Sequence, residues 1–128
     1  MIELNRGNFK EVVDQQAIVV IECWAPGCGG CKLFDPVFAE VAGRYPNHTF
    51  ARMNVATDEK LGEFFEITHT PCLMVYRDGL LLLKKPGTYT ETALNDIIRQ
   101  TESLDMEVVR ADVESSQTHN QTERTNDD

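Results

Sequence analysis

Two cysteines separated by two residues, Cys28 and Cys31, are the side chains of this sequence best suited to chemistry. Pairs at this spacing occur in zinc sites and in dithiol/disulfide redox sites. A tetrahedral zinc site needs four ligands, and no second cysteine pair or histidine pair follows at zinc-finger or zinc-ribbon spacing. The spacing therefore favours a redox-active dithiol, with a metal site or two structural thiols as the alternatives.

Apolar residues on both sides of the pair predict the elements that hold it. Residues 18–21 are four β-branched apolar residues in a row, which is typical of a strand covered on both faces. Downstream, Phe34, Phe38 and Val41 recur at helical spacing. Cys28 then lies at a helix N-terminus, where free N–H groups and the helix dipole stabilise a thiolate, the nucleophilic form of cysteine.

The rest of the chain continues this alternation of strands and helices. The predicted strands are residues 1–4, 17–22, 50–55, 71–77 and 80–85. The predicted helices begin near Asn8, Cys31, Thr57 and Thr90. This order, βαβαβαββα, indicates an α/β fold with a central mixed β-sheet flanked by helices on both faces.

Local signals support several of these boundaries. Asn8 and Glu11 are spaced as a capping box at the start of the first helix. Pro36 is expected to kink the second helix, because proline removes one backbone hydrogen bond. The dipeptide Asp78-Gly79 predicts a tight hairpin between the last two strands.

Length and composition limit the classes of protein. The chain has 128 residues, enough for one domain with a hydrophobic core. Its net charge of −9 argues against general nucleic-acid binding, which needs a basic surface. Four cysteines do not suggest a disulfide-stapled secreted scaffold. A reducing compartment with one catalytic pair is the simpler interpretation.

The acidic charge is concentrated towards the C-terminus. Residues 105–128 carry seven acidic and two basic side chains, and their second half has no apolar residue. We therefore expect a folded domain over residues 1–104 and an acidic tail over 105–128 that is largely disordered, at least beyond Glu114. Val108, Val109 and Val113 could extend a helix into the first part of this tail. No apolar run has membrane-spanning length and no secretory signal opens the sequence, so a cytoplasmic location is expected.

Several separated motifs make residues 1–104 resemble the thioredoxin family. They are Trp24-Ala25-Pro26, Cys28-x-x-Cys31-Lys32, the helix proline Pro36, Thr70-Pro71, Asp78-Gly79 and Gly87. The resemblance implies a thioredoxin fold with its active site at the end of the second strand and a cis Thr70–Pro71 bond beside the dithiol. It also implies a protein-disulfide reductase that uses a Cys28–Cys31 disulfide and needs no bound cofactor or metal.

The sequence departs from the usual pattern of that family at several positions. Gly29-Gly30 stands between the cysteines where Gly-Pro is common, and Gly27 stands where Trp is common. Glu22 takes the place of a buried Asp, Arg52 that of the lysine facing it, and Cys72 that of a Thr after the cis-proline. These changes bear on the redox potential, so a milder oxidant or an isomerase is an alternative.

The expected roles of the cysteines follow from their positions. Cys28 attacks a substrate disulfide, and Cys31 then resolves the mixed disulfide. Glu22 lies at the end of an apolar strand, where burial raises the pKa of a carboxyl, and it is expected to accept the proton of Cys31. Arg stays charged where Lys can lose its proton, so Arg52 is expected to hold Glu22 more firmly ionised than Lys would.

The remaining site residues are expected to bind substrate or support the loop. Trp24, Gly29, Gly30, Thr70 and Pro71 are the predicted substrate-binding residues, and Pro26, Lys32 and Arg52 are the predicted supporting residues. The backbone at Thr70 and Pro71 is expected to pair with an extended substrate segment. Core packing is the alternative for Trp24, and a simple turn is the alternative for Pro71.

Strand alternation separates the other two cysteines from the site. Cys23 is expected to point away from the side of Glu22, and Cys72 away from that of Pro71, so both are predicted to be small buried side chains. The predicted partners are disulfide-containing proteins and an NADPH-dependent thioredoxin reductase, which the resemblance implies. A non-enzymatic adaptor and a metal- or cluster-binding module are the alternatives from other classes.

Overall fold

The structure is a computed structural model in which residues 1–115 are described. Its elements in chain order are β1 (Ile2–Leu4), α1 (Phe9–Gln15), β2 (Ile18–Trp24), α2 (Gly29–Arg44), β3 (Thr49–Asn54), α3 (Glu59–Phe64), β4 (Cys72–Arg77), β5 (Leu80–Pro86) and α4 (Glu91–Ser103). A further stretch, residues 106–115, is helical. The predicted order of strands and helices is confirmed.

The strands form one mixed sheet in the order β1-β3-β2-β4-β5. β1 and β2 run parallel to β3, whereas β4 runs antiparallel to both β2 and β5. β2 is the central strand, and its residues from Ile18 to Cys23 are all buried. Because β2 is buried on both faces, residues 18–21 are continuously apolar instead of alternating between apolar and polar.

Two apolar clusters cover the two faces of the sheet. On one face, Val13 of α1 and Leu61 of α3 pack with the odd-numbered residues of β2. On the other face, Phe34 and Phe38 of α2 and Leu94 of α4 pack with the even-numbered residues of β2. Glu22 belongs by parity to the α2 face and Cys23 to the opposite one, as strand alternation predicts.

Two local predictions are wrong in detail. Asn8 precedes α1 without a side-chain capping bond; its Oδ1 instead accepts the N–H of Asn5, and its Nδ2 donates to the Glu3 carbonyl. The α2 helix begins at Gly29 rather than Cys31, because Cys28 already supplies the cap. The hairpin prediction is confirmed, with positive φ angles of 51° at Asp78 and 80° at Gly79.

The boundary expected at residue 104 stays a prediction. Met1–Ile98 form one compact unit, and the described residues after them, 99–115, belong to a second. The first part of the predicted tail is helical over 106–115, the stretch in which Val108, Val109 and Val113 allowed for a helix. The remainder of the expected disordered tail falls on residues 116–128, which lie outside the described residues.

Candidate active site

The cysteine pair lies at the start of α2, directly after the loop that follows β2. The chain leaves β2 at Trp24, turns through Gly27 with a φ of 79°, and enters the helix after Cys28. Cys28 is the N-cap residue, and its Sγ accepts the backbone N–H of Cys31 at 3.1 Å. The two sulfurs are joined as a disulfide, with 5.2 Å between the Cα atoms.

The two sulfurs differ in their access to solvent. Cys28 is half-buried, whereas Cys31 retains only 3% of its surface. Pro26, Gly27, Gly29 and Lys32 around Cys28 are exposed. Cys28 is therefore the more accessible of the two cysteines.

The Thr70–Pro71 bond is cis, as the resemblance implied. Pro71 packs against Gly30, where an added Cβ would lie 2.9 Å from the Pro71 Cδ. The expected binding backbone is thus beside the disulfide loop. The Pro71 carbonyl, however, already accepts the N–H of Gly87 at 2.9 Å, so this acceptor has a partner within the chain.

Glu22 is a carboxyl with no exposed surface on the central strand. It stands beside Arg52 of β3 and opposite Leu73 of β4. The Arg52 Nη2 atom lies 3.7 Å from Glu22 Oε1 and 3.2 Å from the Oδ2 atom of Asp35 on α2. Arg52 therefore stands closer to Asp35 than to the buried acid that it was expected to serve.

Burial raises the pKa of Glu22 to about 8, and a hydrogen bond with Asp35 and the negative charge of Asp35 add to that effect. The positive charge of Arg52 lowers it, but by less. The rise in pKa agrees with the sequence argument from burial. The expectation that Arg52 holds Glu22 more firmly ionised than a lysine would stays a prediction, and Asp35 is a second carboxyl at the same guanidinium.

Trp24 is half-buried at the end of β2, and its ring faces the same charged group. The Arg52 Cζ atom lies 4.5 Å from the ring centroid, which is within the range of a cation–π contact. Trp24 also lines a cleft with Asn54 of β3 and Asp58 at the start of α3. The Trp24 side chain therefore contacts Arg52 at the end of β2, where the chain enters the cysteine loop.

The two remaining cysteines stand directly opposite each other across β2 and β4. Cys23 has no exposed surface, and Cys72 retains 3%. A hydrogen bond between them raises the pKa of Cys23, helped by burial, and lowers that of Cys72. Cys23 packs in the cluster under α1 and α3, on the opposite face of the sheet from the Glu22 side chain.

Asp35 is the site residue that sequence reasoning missed. It follows Cys31 by four residues, and side chains at this spacing share one face of a helix. An acid at that spacing, directly before the kink proline Pro36, was therefore a usable signal. Its contact with Arg52 joins residues 17 positions apart and could not be read from local pattern.

Two further searches cover the described part of the chain. Within residues 1–115, no three His, Cys, Asp or Glu side chains are grouped so that they could hold a metal ion. In the same residues no helix has both the length and the apolar character needed to cross a bilayer.

Comparisons with known proteins agree with the motifs. A family model for thioredoxin matches residues 1–100. A putative thioredoxin 2 of Streptomyces coelicolor is 35% identical over 116 residues, covering 91% of this chain and 87% of that protein. The crystal structure of oxidised mitochondrial thioredoxin 3 from Saccharomyces cerevisiae matches with a TM-score of 0.72 at 28% identity, covering 78% of this chain and 94% of that one. The predicted thioredoxin fold is confirmed.

Proposed function

The chain belongs to the thioredoxin family and is a thiol–disulfide oxidoreductase, and we propose that it reduces protein disulfides through a mixed disulfide on Cys28. The observation that carries this proposal is the unequal access of the two sulfurs. Cys28 is half-buried at the start of α2, whereas Cys31 retains 3% of its surface. An intermolecular bond forms at the accessible sulfur, and the covered one is placed for intramolecular attack.

The proposed cycle conserves atoms and electrons. The Cys28 thiolate attacks one sulfur of the substrate disulfide, and the other substrate sulfur leaves as a thiolate. Cys31 then attacks Cys28 Sγ, which forms the Cys28–Cys31 disulfide and releases the second substrate thiolate. Two electrons pass from the protein to the substrate. No bound cofactor is needed, because the cysteines of this family carry the electrons themselves.

The neighbouring groups support this cycle. The cap position of Cys28 supports its thiolate, since the N–H of Cys31 points at the sulfur at 3.1 Å. Glu22 lies under α2 and is the proposed acceptor of the Cys31 proton. Thr70 and Pro71 with Gly29, Gly30 and Trp24 are the proposed contact surface for the substrate, and Pro26, Lys32 and Arg52 support it.

The partners and the location are part of the proposal. Electrons come from an NADPH-dependent flavoprotein reductase, which would reduce the Cys28–Cys31 disulfide after each turnover. The proposed location is the cytoplasm. The buried cysteines Cys23 and Cys72 are both free in the structure, which suits a reducing compartment.

Single-cysteine variants test the order of attack. Cys28→Ser is expected to abolish insulin reduction, because the accessible nucleophile is lost. Cys31→Ser is expected to accumulate mixed disulfides with insulin, detected by mass spectrometry. Cys23→Ala removes a thiol from the opposite face of the sheet and serves as the control with retained turnover. Turnover by Cys28→Ser, or trapping through Cys31 in that variant, would contradict the proposal.

The equilibrium of the pair in glutathione buffers separates reductase from isomerase. A pair that is fully oxidised in mildly reducing buffer, and stays oxidised until glutathione is strongly reducing, supports the reductase. A pair already reduced at mild ratios would favour an isomerase or oxidant instead. Gly30 at the place of the usual proline is the residue that motivates this second possibility.

A further inference from the structure

Glu22, Asp35 and Arg52 are called the Glu22 cluster below. Within residues 1–115, four buried polar atoms of this cluster have no hydrogen-bond partner when all three side chains are ionised. They are both carboxyl oxygens of Glu22, Oδ1 of Asp35 and Nε of Arg52. Buried polar atoms are nearly always paired, because an unpaired one has lost its hydrogen bonds to water without replacement. An arrangement that leaves both oxygens of Glu22 and one oxygen of Asp35 without donors therefore points to a missing proton.

One shared proton pairs the two carboxyls. Two carboxylates cannot hydrogen-bond to each other, but a protonated Glu22 can donate to Asp35 Oδ1. Asp35 Oδ2 meanwhile accepts from Arg52 Nη2 at 3.2 Å. The second Glu22 oxygen then remains free to accept a proton from another group.

Cys31 lies on α2, the helix that covers the face of the sheet to which Glu22 belongs. Cys31 and Asp35 are one turn apart on the same face of α2, and the Asp35 and Glu22 carboxyls both approach Arg52 Nη2, at 3.2 and 3.7 Å respectively. Asp35 also reaches water, since its side chain retains 39% exposure while that of Glu22 retains none. The three groups thus lead from the covered sulfur to solvent.

We propose that Asp35 completes a proton path that leads from Cys31 through Glu22 to water. This rests on the proposed function, in which Cys31 resolves the mixed disulfide. Asp35 touches no reacting sulfur and is a positioning residue. Its Oδ1 accepts the hydrogen bond of protonated Glu22 and then accepts the proton itself. The usual aspartate–lysine pair that Glu22 and Arg52 replace has here gained a third, solvent-facing member.

The proposed step balances. As Cys31 loses its proton to one Glu22 oxygen, the other Glu22 oxygen passes its own proton to Asp35 Oδ1. The Cys31 sulfur forms its bond with Cys28 Sγ, and the bond between Cys28 and the substrate sulfur breaks. The Asp35 carboxyl turns its buried Oδ1 towards the exposed side of the side chain and returns the proton to water, and the departing substrate thiolate takes one up. Over both steps of the cycle, the cysteines lose two electrons and the substrate gains two.

The charges around Glu22 fix the direction of the expected pH effect. The described groups acting on it are Asp35 from α2 and Arg52 from β3, while β4 presents the apolar Leu73; Cys23 adjoins it on β2. Removing the Asp35 charge removes two effects that raise the Glu22 pKa and leaves that of Arg52, which lowers it. Asp35→Asn must therefore move the pH dependence of resolution downwards.

Stopped-flow reaction of the reduced protein with dithiobis(nitrobenzoate) isolates that step, because chromophore release has two phases. The first phase reports attack by Cys28 and the second reports resolution by Cys31. Asp35→Asn is expected to slow the second phase about tenfold and to shift its pH profile downwards by about one pH unit, within the range of general acid–base effects. Asp35→Glu is expected to restore the profile. Glu40→Gln, an exposed acid of the same helix paired with Arg44, is the matched control and leaves both phases unchanged.

The outcomes separate the two proposals. A second phase in Asp35→Asn that superimposes on wild type overturns the Asp35 path, and so does a slower phase with an unmoved pH profile. If Glu22→Gln slows the second phase while Asp35→Asn does not, only the Asp35 path is lost. If neither variant alters resolution, the role of Glu22 in the proposed function is lost as well.

Discussion

Replacing Glu22 by glutamine is expected to make the stability of the oxidised protein less dependent on pH. Folding raises the pKa of Glu22 from 4.5 to about 8, so the folded state binds more protons than the unfolded state between these values. Stability is therefore complete below pH 4.5 and falls as the pH rises towards 8. The glutamine of the variant has no proton to lose, and its amide can donate to Asp35 and accept from Arg52.

The size of the effect follows from linkage. At 1.36 kcal/mol per pKa unit, the ionisation of Glu22 costs about 5 kcal/mol of stability above pH 8 and almost nothing below pH 4.5. Between pH 5 and pH 8.5, the free energy of unfolding of Glu22→Gln should gain about 4 kcal/mol relative to wild type. Any cost of repacking the amide is the same at each pH and does not alter this slope.

Urea denaturation of the disulfide form measures that difference. Cys28 and Cys31 do not titrate when oxidised, and the histidines are common to both proteins, so the difference isolates Glu22. Glu40→Gln removes an exposed carboxyl from α2 and should track wild type within about 0.5 kcal/mol at each pH. A difference between Glu22→Gln and wild type that stays constant from pH 5 to pH 8.5 would refute the reasoning.

Two further predictions concern the packing around the disulfide. Gly30→Ala should destabilise the protein by about 1–3 kcal/mol relative to Gly29→Ala, because its Cβ would lie 2.9 Å from the Pro71 ring while that of residue 29 meets nothing within 4 Å. Equal urea midpoints for the two variants would contradict this. Cys23 and Cys72, at 0% and 3% exposure, should stay unlabelled by N-ethylmaleimide in the oxidised native protein and react only in denaturant. Rapid native labelling of either thiol would show that the sheet opens there.

Features fixed by short stretches of sequence were predictable. The continuous apolar run of β2, the Asp78-Gly79 turn and the capped start of α2 each depend on residues within one element and its neighbours. The separated motifs then supplied the family and, with it, the cis bond at Pro71. These are the parts in which local preference and tertiary structure agree.

Features decided by contacts between distant elements were not predictable. Asn8 was expected to cap α1, but its side chain is bonded to Asn5 and Glu3, which compete for the same atoms. Arg52 was expected to face Glu22. Its closer partner Asp35 is brought in by the packing of α2 on the sheet, and no periodicity along the chain reports that approach.

The carboxyl cluster also constrains how the central strand can pair. Side chains alternate along β2, so a slip of one residue against β3 and β4 would turn Glu22 into the apolar cluster under α1 and α3. On that face the Glu22 carboxyl would be buried without Arg52 and Asp35 as partners. A buried carboxyl without partners strongly destabilises the slipped pairing. An otherwise uniform run of β-branched residues, which by shape alone could align in more than one way, is thereby held to a single alignment during folding.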